Sequence, residues 1–289
     1  MEIIQSVSAM QAWSRAARAA GKLVGFVPTM GYLHEGHLSL MREAKRRAEV
    51  CVVSIYVNPT QFGPKEDFSK YPRDFERDRK LCESVGVDVI FAPTNEEMWG
   101  EGERRKTEDG MSGSTWVEET VVSERWEGTS RPGHFRGVCT VVAKLFNCVL
   151  PDVACFGQKD AQQCAVLRRM VRDLNFPLEF VVCPTVREPD GLAMSSRNVY
   201  LNPTERQEAL ALKQSLELAR RDLAAGRTID EVSAAMTTLI AGKPSARIDY
   251  IAFVDSETLL PVKRHEPGRT LVAMAVFVGK TRLIDNETF

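Results

Sequence analysis

Apolar positions along the chain fall into two recurring patterns. Short, nearly continuous runs at residues 23–27, 50–57, 87–91, 152–156 and 178–183 are rich in Val, Ile, Phe and Cys. Such runs predict strands buried on both faces, the mark of a parallel sheet. Between them, apolar residues recur every three or four positions, as in Leu38, Met41, Ala44 and Ala48, or Phe75, Leu81 and Val85. That spacing predicts helices after residue 37, over 74–85 and 138–149, and from the end of the 152–156 strand through 173. Strand–helix alternation of this kind predicts an α/β domain with a mostly parallel sheet flanked by helices. Beyond residue 184 the order changes. A long helix is expected over 203–225 and a second over 228–241, with Thr228 or Asp230 near its cap, followed by strand-like runs at 247–254, 270–277 and 281–284. Helices followed by strands predict a smaller α+β domain, so the expected division is 1–184 and 185–289.

One junction in the first domain carries more chemistry than the rest. The 23–27 strand runs through Pro28-Thr29-Met30-Gly31-Tyr32-Leu33 into His34-Glu35-Gly36-His37, and the helix follows. The first N–H groups of a helix lack partners and the dipole favours anions there, so a strand, a glycine turn and a helix start make a phosphate cradle. Gly36 keeps a Cβ out of the way of a polyphosphate. Two of the chain's four histidines fall in this window, where they can donate hydrogen bonds to phosphate or add cationic charge.

Composition narrows the class. At 289 residues the chain can bury a substantial core in one or two domains, and its formal net charge of −1 offers no general attraction to nucleic acid or an anionic membrane. No run reaches the roughly 18 apolar residues of a membrane span, and the N-terminus has no secretory signal pattern. The seven cysteines are scattered, with no Cys-x-x-Cys pair, as expected of buried thiols in a reducing compartment. The expectation from these features is a cytoplasmic protein.

Other loops supply candidate partners for a ligand. Residues 50–57 end in Asn58-Pro59-Thr60-Gln61, beyond the carboxyl end of a strand, where open α/β sheets bind ligands. Asn58 and Gln61 suit a hydroxy acid, although Asn-Pro also builds plain turns. Asp74 and Asp78 lie four apart on one helix face, as magnesium candidates or as a solvated charged face. Gly157-Gln158-Lys159-Asp160 ends another strand, with Gln163 on the same helical face as Lys159 and Asp160. Lys159 is placed for a phosphate, and Asp160 for magnesium or a ribose hydroxyl. Met194-Ser195-Ser196-Arg197 puts two hydroxyls beside a guanidinium, which suits the charge of a leaving pyrophosphate. Residues 95–114 are polar and read as a mobile surface loop or insertion, with a short strand starting at Trp116-Val117.

A His-x-Gly-His turn at the first strand and a Met-Ser-Ser-Arg loop opening the second domain resemble the nucleotidyltransferase and class I aminoacyl-tRNA synthetase-like superfamily. Within it the chain resembles the pantoate–β-alanine ligases over nearly its whole length. The blocks that carry this are Pro28 through His37, Val57 through Phe62, Tyr71-Pro72-Arg73, Ser130 through Val138, Phe156 through Gln163, and Asp190 through Asn198. The resemblance implies a Rossmann-like first domain, a smaller C-terminal lid domain carrying the Met-Ser-Ser-Arg loop, and a homodimer. It implies joining of (R)-pantoate to β-alanine through a pantoyl-adenylate, at the expense of ATP and with release of AMP and pyrophosphate. Magnesium would accompany ATP, with no tightly bound organic cofactor, no nucleic acid and no membrane as partner.

By the same resemblance ATP would contact Met30, Gly31, Tyr32, Leu33, His34, Glu35, Gly36 and His37. Gly157, Gln158, Lys159, Asp160, Val186, Met194, Ser195, Ser196 and Arg197 would complete that site. Gln61 and Gln163 would hold pantoate, with Asn58 beside them and β-alanine also near Gln61. His34, His37, Lys159 and Arg197 would carry the catalysis, with His37 as the family's proton donor and Asp78 and Asp160 as candidate metal ligands. An ionised carboxylate needs no general base to attack phosphorus, so the lack of a Ser/His/Asp or Cys/His set is consistent with this chemistry. Thr60 stands where bacterial relatives often have Met, and Met98-Trp99-Gly100 replaces a more usual Met-Tyr-Pro. A nucleotidyltransferase acting on a phosphorylated acceptor would call for extra basic residues where Asn58, Gln61 and Gln163 are neutral. An idle nucleotide-binding module would have lost one of His34, His37, Lys159 or Arg197.

Overall fold

The computed structural model describes all residues except 65, 67 and 101–113, which include most of the expected polar insertion. The chain forms two compact units, one of Met1–Gly157 with Val166–Cys183 and one of Gln158–Ala165 with Pro184–Phe289. Residues 158–165, on the first side of the expected division at 184, thus group with the second unit.

The first unit is built on strands β1 (Glu2–Ile4), β2 (Val24–Thr29), β3 (Val50–Ile55), β4 (Val89–Phe91), β5 (Val153–Gly157) and β6 (Glu179–Cys183). They form one sheet in the order β1-β4-β3-β2-β5-β6, and every pairing is parallel. β2 and β3 are buried along almost their whole length, which accounts for their lack of polar alternation. The chain runs from β2 outward through β3 and β4, then restarts on the other side of β2 with β5. That reversal beside β2 is where open α/β sheets accommodate ligands, outside the carboxyl ends at Thr29 and Gly157.

The connecting helices are α1 (Val7–Ala19), α2 (Glu35–Arg47), α3 (Phe75–Ser84), α4 (Asn95–Trp99), α5 (Glu127–Ser130), α6 (His134–Val149) and α7 (Ala161–Asp173). β1 and α1 were not foreseen: three residues give too short a run, and α1 buries only Met10, Ser14 and Ala17, a stripe in which Met10 alone is large and apolar. β1 earns its place by pairing Ile3 with Ile90 on β4. α2 follows its predicted stripe, burying Leu38, Leu40, Met41 and Ala44, and its last turn carries Lys45, Arg46 and Arg47 at the negative end of the dipole. These residues pack with Val27, Cys51, Val53, Ile90 and Cys155 of the sheet in one apolar cluster. No strand begins at Trp116-Val117. The Val117 N–H instead donates to the Thr140 hydroxyl on α6 (3.0 Å), and Trp116 lies 5.8 Å from Trp99.

The second unit has α8 (Pro203–Ala209), α9 (Ala211–Ala224) and α10 (Ile229–Ala241), then β7 (Ala246–Asp255), β8 (Thr270–Val278) and β9 (Thr281–Thr288) as an antiparallel sheet in that order. The parallel α/β sheet and the small α+β unit bear out the expected fold class. The single helix expected over 203–225 is two. At Leu210 the N–H turns to Gln207 O (3.4 Å) rather than to a carbonyl four residues back, and the break buries Ala209, Ala211 and Leu212 together. Thr228 caps α10 in a capping box with Glu231. Leu212, Leu216, Val232, Met236 and Ile240 meet Val272, Met274 and Val276 in a core confined to this unit.

Leu216 is fully buried in that core. Leu216→Ala should cost about 2 to 5 kcal/mol through lost transfer energy and the cavity left behind. Urea unfolding followed by circular dichroism measures it; a loss below ~1 kcal/mol would mean that this core is not tightly packed.

Candidate active site

In the first unit the segment joining β2 to α2 is fixed from both ends. Thr29 Oγ1 donates to Ser54 O (2.7 Å) and accepts from the Gly31 N–H (3.1 Å), which starts the turn. Gly31 has φ +81°, and a Cβ there would meet Asp78 Oδ2 at 3.0 Å and Ile55 Cγ2 at 3.1 Å, so the position suits glycine twice over. Tyr32 and Leu33 direct their N–H groups into the Asp78 carboxylate, at 2.7 Å each, and Arg77 donates to Leu33 O (2.9 Å). Consecutive residues at the start of α3 therefore clamp the turn. Asp78 is 1% exposed. Burial pushes its carboxyl above the usual range, and the two backbone donors oppose that shift.

This overturns the reading of Asp78 as a metal ligand. Each of its oxygens already holds a backbone N–H, and it has essentially no solvent face to offer an ion. The sequence contained a signal for this: Asp78 lies three residues after Phe75 and four before Cys82, on the apolar stripe of α3. Asp74 is likewise occupied, capping α3 through the Arg77 N–H (3.1 Å).

The turn ends in the two histidines. His34 is the N-cap of α2, its Nδ1 accepting the Gly36 N–H (3.2 Å), and His37 Nδ1 accepts the His34 N–H (3.3 Å). This is a capping box built from imidazoles instead of Ser and Glu. The rings lie 4.1 Å apart, tilted by 41°. Because each Nδ1 is an acceptor, a neutral ring carries its proton on Nε2. A cationic ring would set a second N–H against the one it now accepts, so of the two expected roles the cap favours the neutral hydrogen-bond donor.

Beyond β3 lies a short 3-10 turn, Pro59–Gln61. Asn58 is 1% exposed and spends its amide within the turn and on α6, donating to Thr60 Oγ1 (2.9 Å), Gln61 Oε1 (3.2 Å) and Gly137 O (3.3 Å). It therefore positions Gln61 rather than presenting itself to a ligand. The Gln61 amide in turn donates to Met30 Sδ (3.1 Å), which brings the two predicted site residues together.

The 131–137 block explains itself here. His134 is buried, its Nδ1–H donating to Gln61 O (2.8 Å) while Nε2 accepts from Arg131 (2.9 Å). Arg131 also makes a two-point ion pair with Glu66, both contacts at 2.7 Å. A Cβ on Gly137 would stand 2.2 Å from Thr60 O, so α6 can sit this close to the turn only with glycine there. None of this support was foreseen, because the block reads in sequence as one more glycine turn.

In the second unit, Gln158–Asp160 forms a 3-10 turn leading into α7, so Lys159 and Asp160 precede the helix that carries Gln163. Lys159 is partly buried, 3.9 Å from Asp160, whose side chain is 49% exposed. Met194-Ser195-Ser196-Arg197 opens from a tight hairpin: Met194 N–H donates to Val186 O (3.0 Å), and Glu188 N–H to Leu192 O (2.8 Å). Val186 and Met194, both expected at the nucleotide, are thus direct neighbours. Ser195 caps the turn Ser196–Tyr200 by accepting the Arg197 N–H (3.2 Å). Glu188 receives Asn198 (2.8 Å) and Arg206 (2.8 Å), which close the hairpin's base.

A magnesium ion finds little ready-made here: among the described residues no group of three or more His, Cys, Asp or Glu could hold a metal. Asp160, exposed and beside Lys159, can supply one carboxylate to an ion whose other ligands are phosphate oxygens and water.

Comparison with known proteins matches the pantoate–β-alanine ligase family model over residues 2–288. The pantothenate synthetases of Thermotoga petrophila and Thermotoga neapolitana are 55% and 56% identical to this chain, each over 287 residues and 99% of both chains. The crystal structure of the Thermus thermophilus pantothenate synthetase superposes with a TM-score of 0.90 at 46% identity, covering 100% of this chain and 99% of that one. The Francisella tularensis pantoate–β-alanine ligase, solved in complex with a β,γ ATP compound and β-alanine, gives 0.79 at 31% identity, covering 100% and 97%.

The buried His134 makes the Gln61 support pH-sensitive. Burial, then the Arg131 charge, lowers its pKa from 6.5 to about 4. Between those values the unfolded chain binds the proton and the folded one does not, so this stabilisation falls as pH drops through the window. From pH 6.5 to about 4.5 the wild type should lose about 2 kcal/mol more unfolding free energy than His134→Gln. Parallel urea titrations at the two pH values decide it, and equal losses would mean that the imidazole is not held neutral.

Proposed function

This chain belongs to the pantoate–β-alanine ligase family, and from that membership we propose how its residues divide the work. The reaction is the ATP-dependent condensation of pantoate with β-alanine to pantothenate, through a pantoyl-adenylate. In the first step a pantoate carboxylate oxygen bonds to the α-phosphorus, and the bond to the bridging oxygen breaks, releasing pyrophosphate. With an ordinary carboxyl pKa near 4, pantoate attacks as the anion without a base. Catalysis then consists of in-line placement and neutralisation of charge. In the second step the neutral β-alanine amine bonds to the acyl carbon, the acyl–oxygen bond breaks, AMP leaves with that oxygen, and the amine's proton passes to the departing phosphate or to water.

The observation that carries the residue assignment is the histidine capping box. It commits both Nδ1 atoms to the backbone, which leaves Nε2–H as the donor of each neutral ring. We assign those two donors to phosphate oxygens, with His37 the one that meets charge developing at the α-phosphate. Residues Met30 to Gly36 supply the cradle. Gln61, held by Asn58 and by the Met30 thioether, is assigned with Gln163 to pantoate and with β-alanine nearby. Lys159, Ser195, Ser196 and Arg197 are assigned to the triphosphate and departing pyrophosphate, with Gly157, Gln158, Val186 and Met194 lining the rest of the nucleotide. Magnesium is assigned to ATP's own phosphates, with Asp160 as its one protein carboxylate, where it would supply further charge neutralisation. Among the described residues no helix is long and apolar enough to cross a membrane. All seven cysteines are free and buried; they support assignment to the cytoplasm, and family resemblance supports a homodimer.

His37→Ala should lower pantoate-dependent ATP–pyrophosphate exchange by about 100-fold or more, as expected when a transition-state donor is removed. The variant's circular dichroism should remain that of the wild type. A folded variant that exchanges at the wild-type rate would sink the assignment.

A further inference from the structure

Strand β9 carries two buried polar residues in succession, Asp285 at 2% and Asn286 at 4% exposure. Neighbours on a strand point to opposite faces, so the pair can serve two separate elements. The Asp285 carboxylate takes both guanidinium nitrogens of Arg187, at 2.7 and 2.9 Å, and one of its oxygens also accepts the Asn286 N–H (2.9 Å). Arg187 lies in the first arm of the hairpin whose second arm ends in Met194-Ser195-Ser196-Arg197, and it donates as well to Gly191 O (3.1 Å) in the hairpin's bend. Asn286 faces the other loop. Its Nδ2 donates to Lys159 O (2.8 Å) and Gln158 O (3.1 Å), and its Oδ1 accepts from Gln158 Nε2 (3.1 Å).

Two loops distant in sequence, both carrying cationic groups, are therefore moored to adjacent residues of one strand. The tether also accounts for the grouping of residues 158–165, which follow β5 directly in sequence yet cluster with the second unit. We infer that Asp285 and Asn286 are positioning residues that set the placement of Lys159 relative to Ser195–Arg197 for the departure of pyrophosphate. This rests on the assignment of those groups to the triphosphate made above. Neither residue touches substrate in this account. Their effect is registration: charge neutralisation in a transition state depends on donor placement, and displacement by about 1 Å can cost ~100-fold in rate. Asparagine suits the task because both amide hydrogens are used on carbonyls and its oxygen on an N–H, with no net charge placed beside Lys159. An aspartate would keep the shape but face two carbonyl oxygens with an anion.

The two half-reactions separate this role from a general loss of structure, because only the first handles pyrophosphate. Asn286→Ala should lower kcat for ATP–pyrophosphate exchange about 10- to 100-fold, with KM for pantoate changed less than about 3-fold. Its rate of pantothenate formation from supplied pantoyl-adenylate and β-alanine should stay within about 2-fold of wild type. Asn286→Asp, of the same shape, should show the same split and serves if the alanine variant does not fold. Lys159→Ala is measured alongside. Normal exchange in both Asn286 variants beside a defective Lys159→Ala overturns the tether. Equal losses in both half-reactions also overturn it, reducing Asn286 to fold maintenance. Normal exchange in Lys159→Ala removes the premise instead, and the tether's function with it.

Discussion

The geometry of the first unit's site depends on one buried carboxylate. Asp78 reaches from α3 to take the N–H groups of Tyr32 and Leu33, and so fixes the middle of the segment between β2 and α2. A buried carboxylate is costly unless its oxygens are hydrogen-bonded, and short contacts from two backbone donors meet that cost. The backbone is held in turn: Tyr32 adopts φ +50°, which a non-glycine residue keeps only where its surroundings impose it. From this point the chain enters α2 with His34 at the cap, and the direction of both imidazoles follows. A side chain that contacts no phosphate in our assignment thus decides where the phosphate donors stand.

The same economy recurs at Gln61. Its backbone oxygen accepts from His134, its side chain is bracketed by Asn58 and Met30, and Gly137 leaves room for α6 against the turn. Behind His134, Arg131 and Glu66 form a further layer. A glutamine is flexible and uncharged, so orienting it for the hydroxy acid of our assignment takes several neighbours rather than one. The pKa of His134, depressed to about 4, keeps that arrangement in a single protonation state near neutrality.

Much of this was legible in the chain because the signals were local. The buried strands announce themselves by unbroken apolar runs, α2 by its stripe, and the His34–His37 turn by rare residues at a strand-to-helix junction. What stayed hidden was set by distant contacts. β1 is a strand only because β4 offers an edge, and the 203–225 helix breaks at Leu210 because its two halves share a core. Asp78 resembled a metal candidate because a carboxylate's use depends on what faces it, and the Tyr32 and Leu33 amides lie some 45 residues away in sequence. Asn286 gave no hint at all, since nothing in a C-terminal strand indicates which loop it will hold.

The seven buried cysteines have a practical side. Burial pushes the thiols of Cys51, Cys82 and Cys139 up to about 12 and that of Cys148 to about 11, so at neutral pH almost none of them is thiolate. Alkylating reagents and mild oxidants need an exposed thiol, and burial keeps all seven out of reach, Cys183 included, although a hydrogen bond from the Cys155 thiol lowers its pKa. A single cysteine introduced on an exposed helix face would therefore stand out against a quiet background. Spectroscopic probes could be attached there with the native thiols left in place, and the motions of the enzyme during turnover followed without first rebuilding its core.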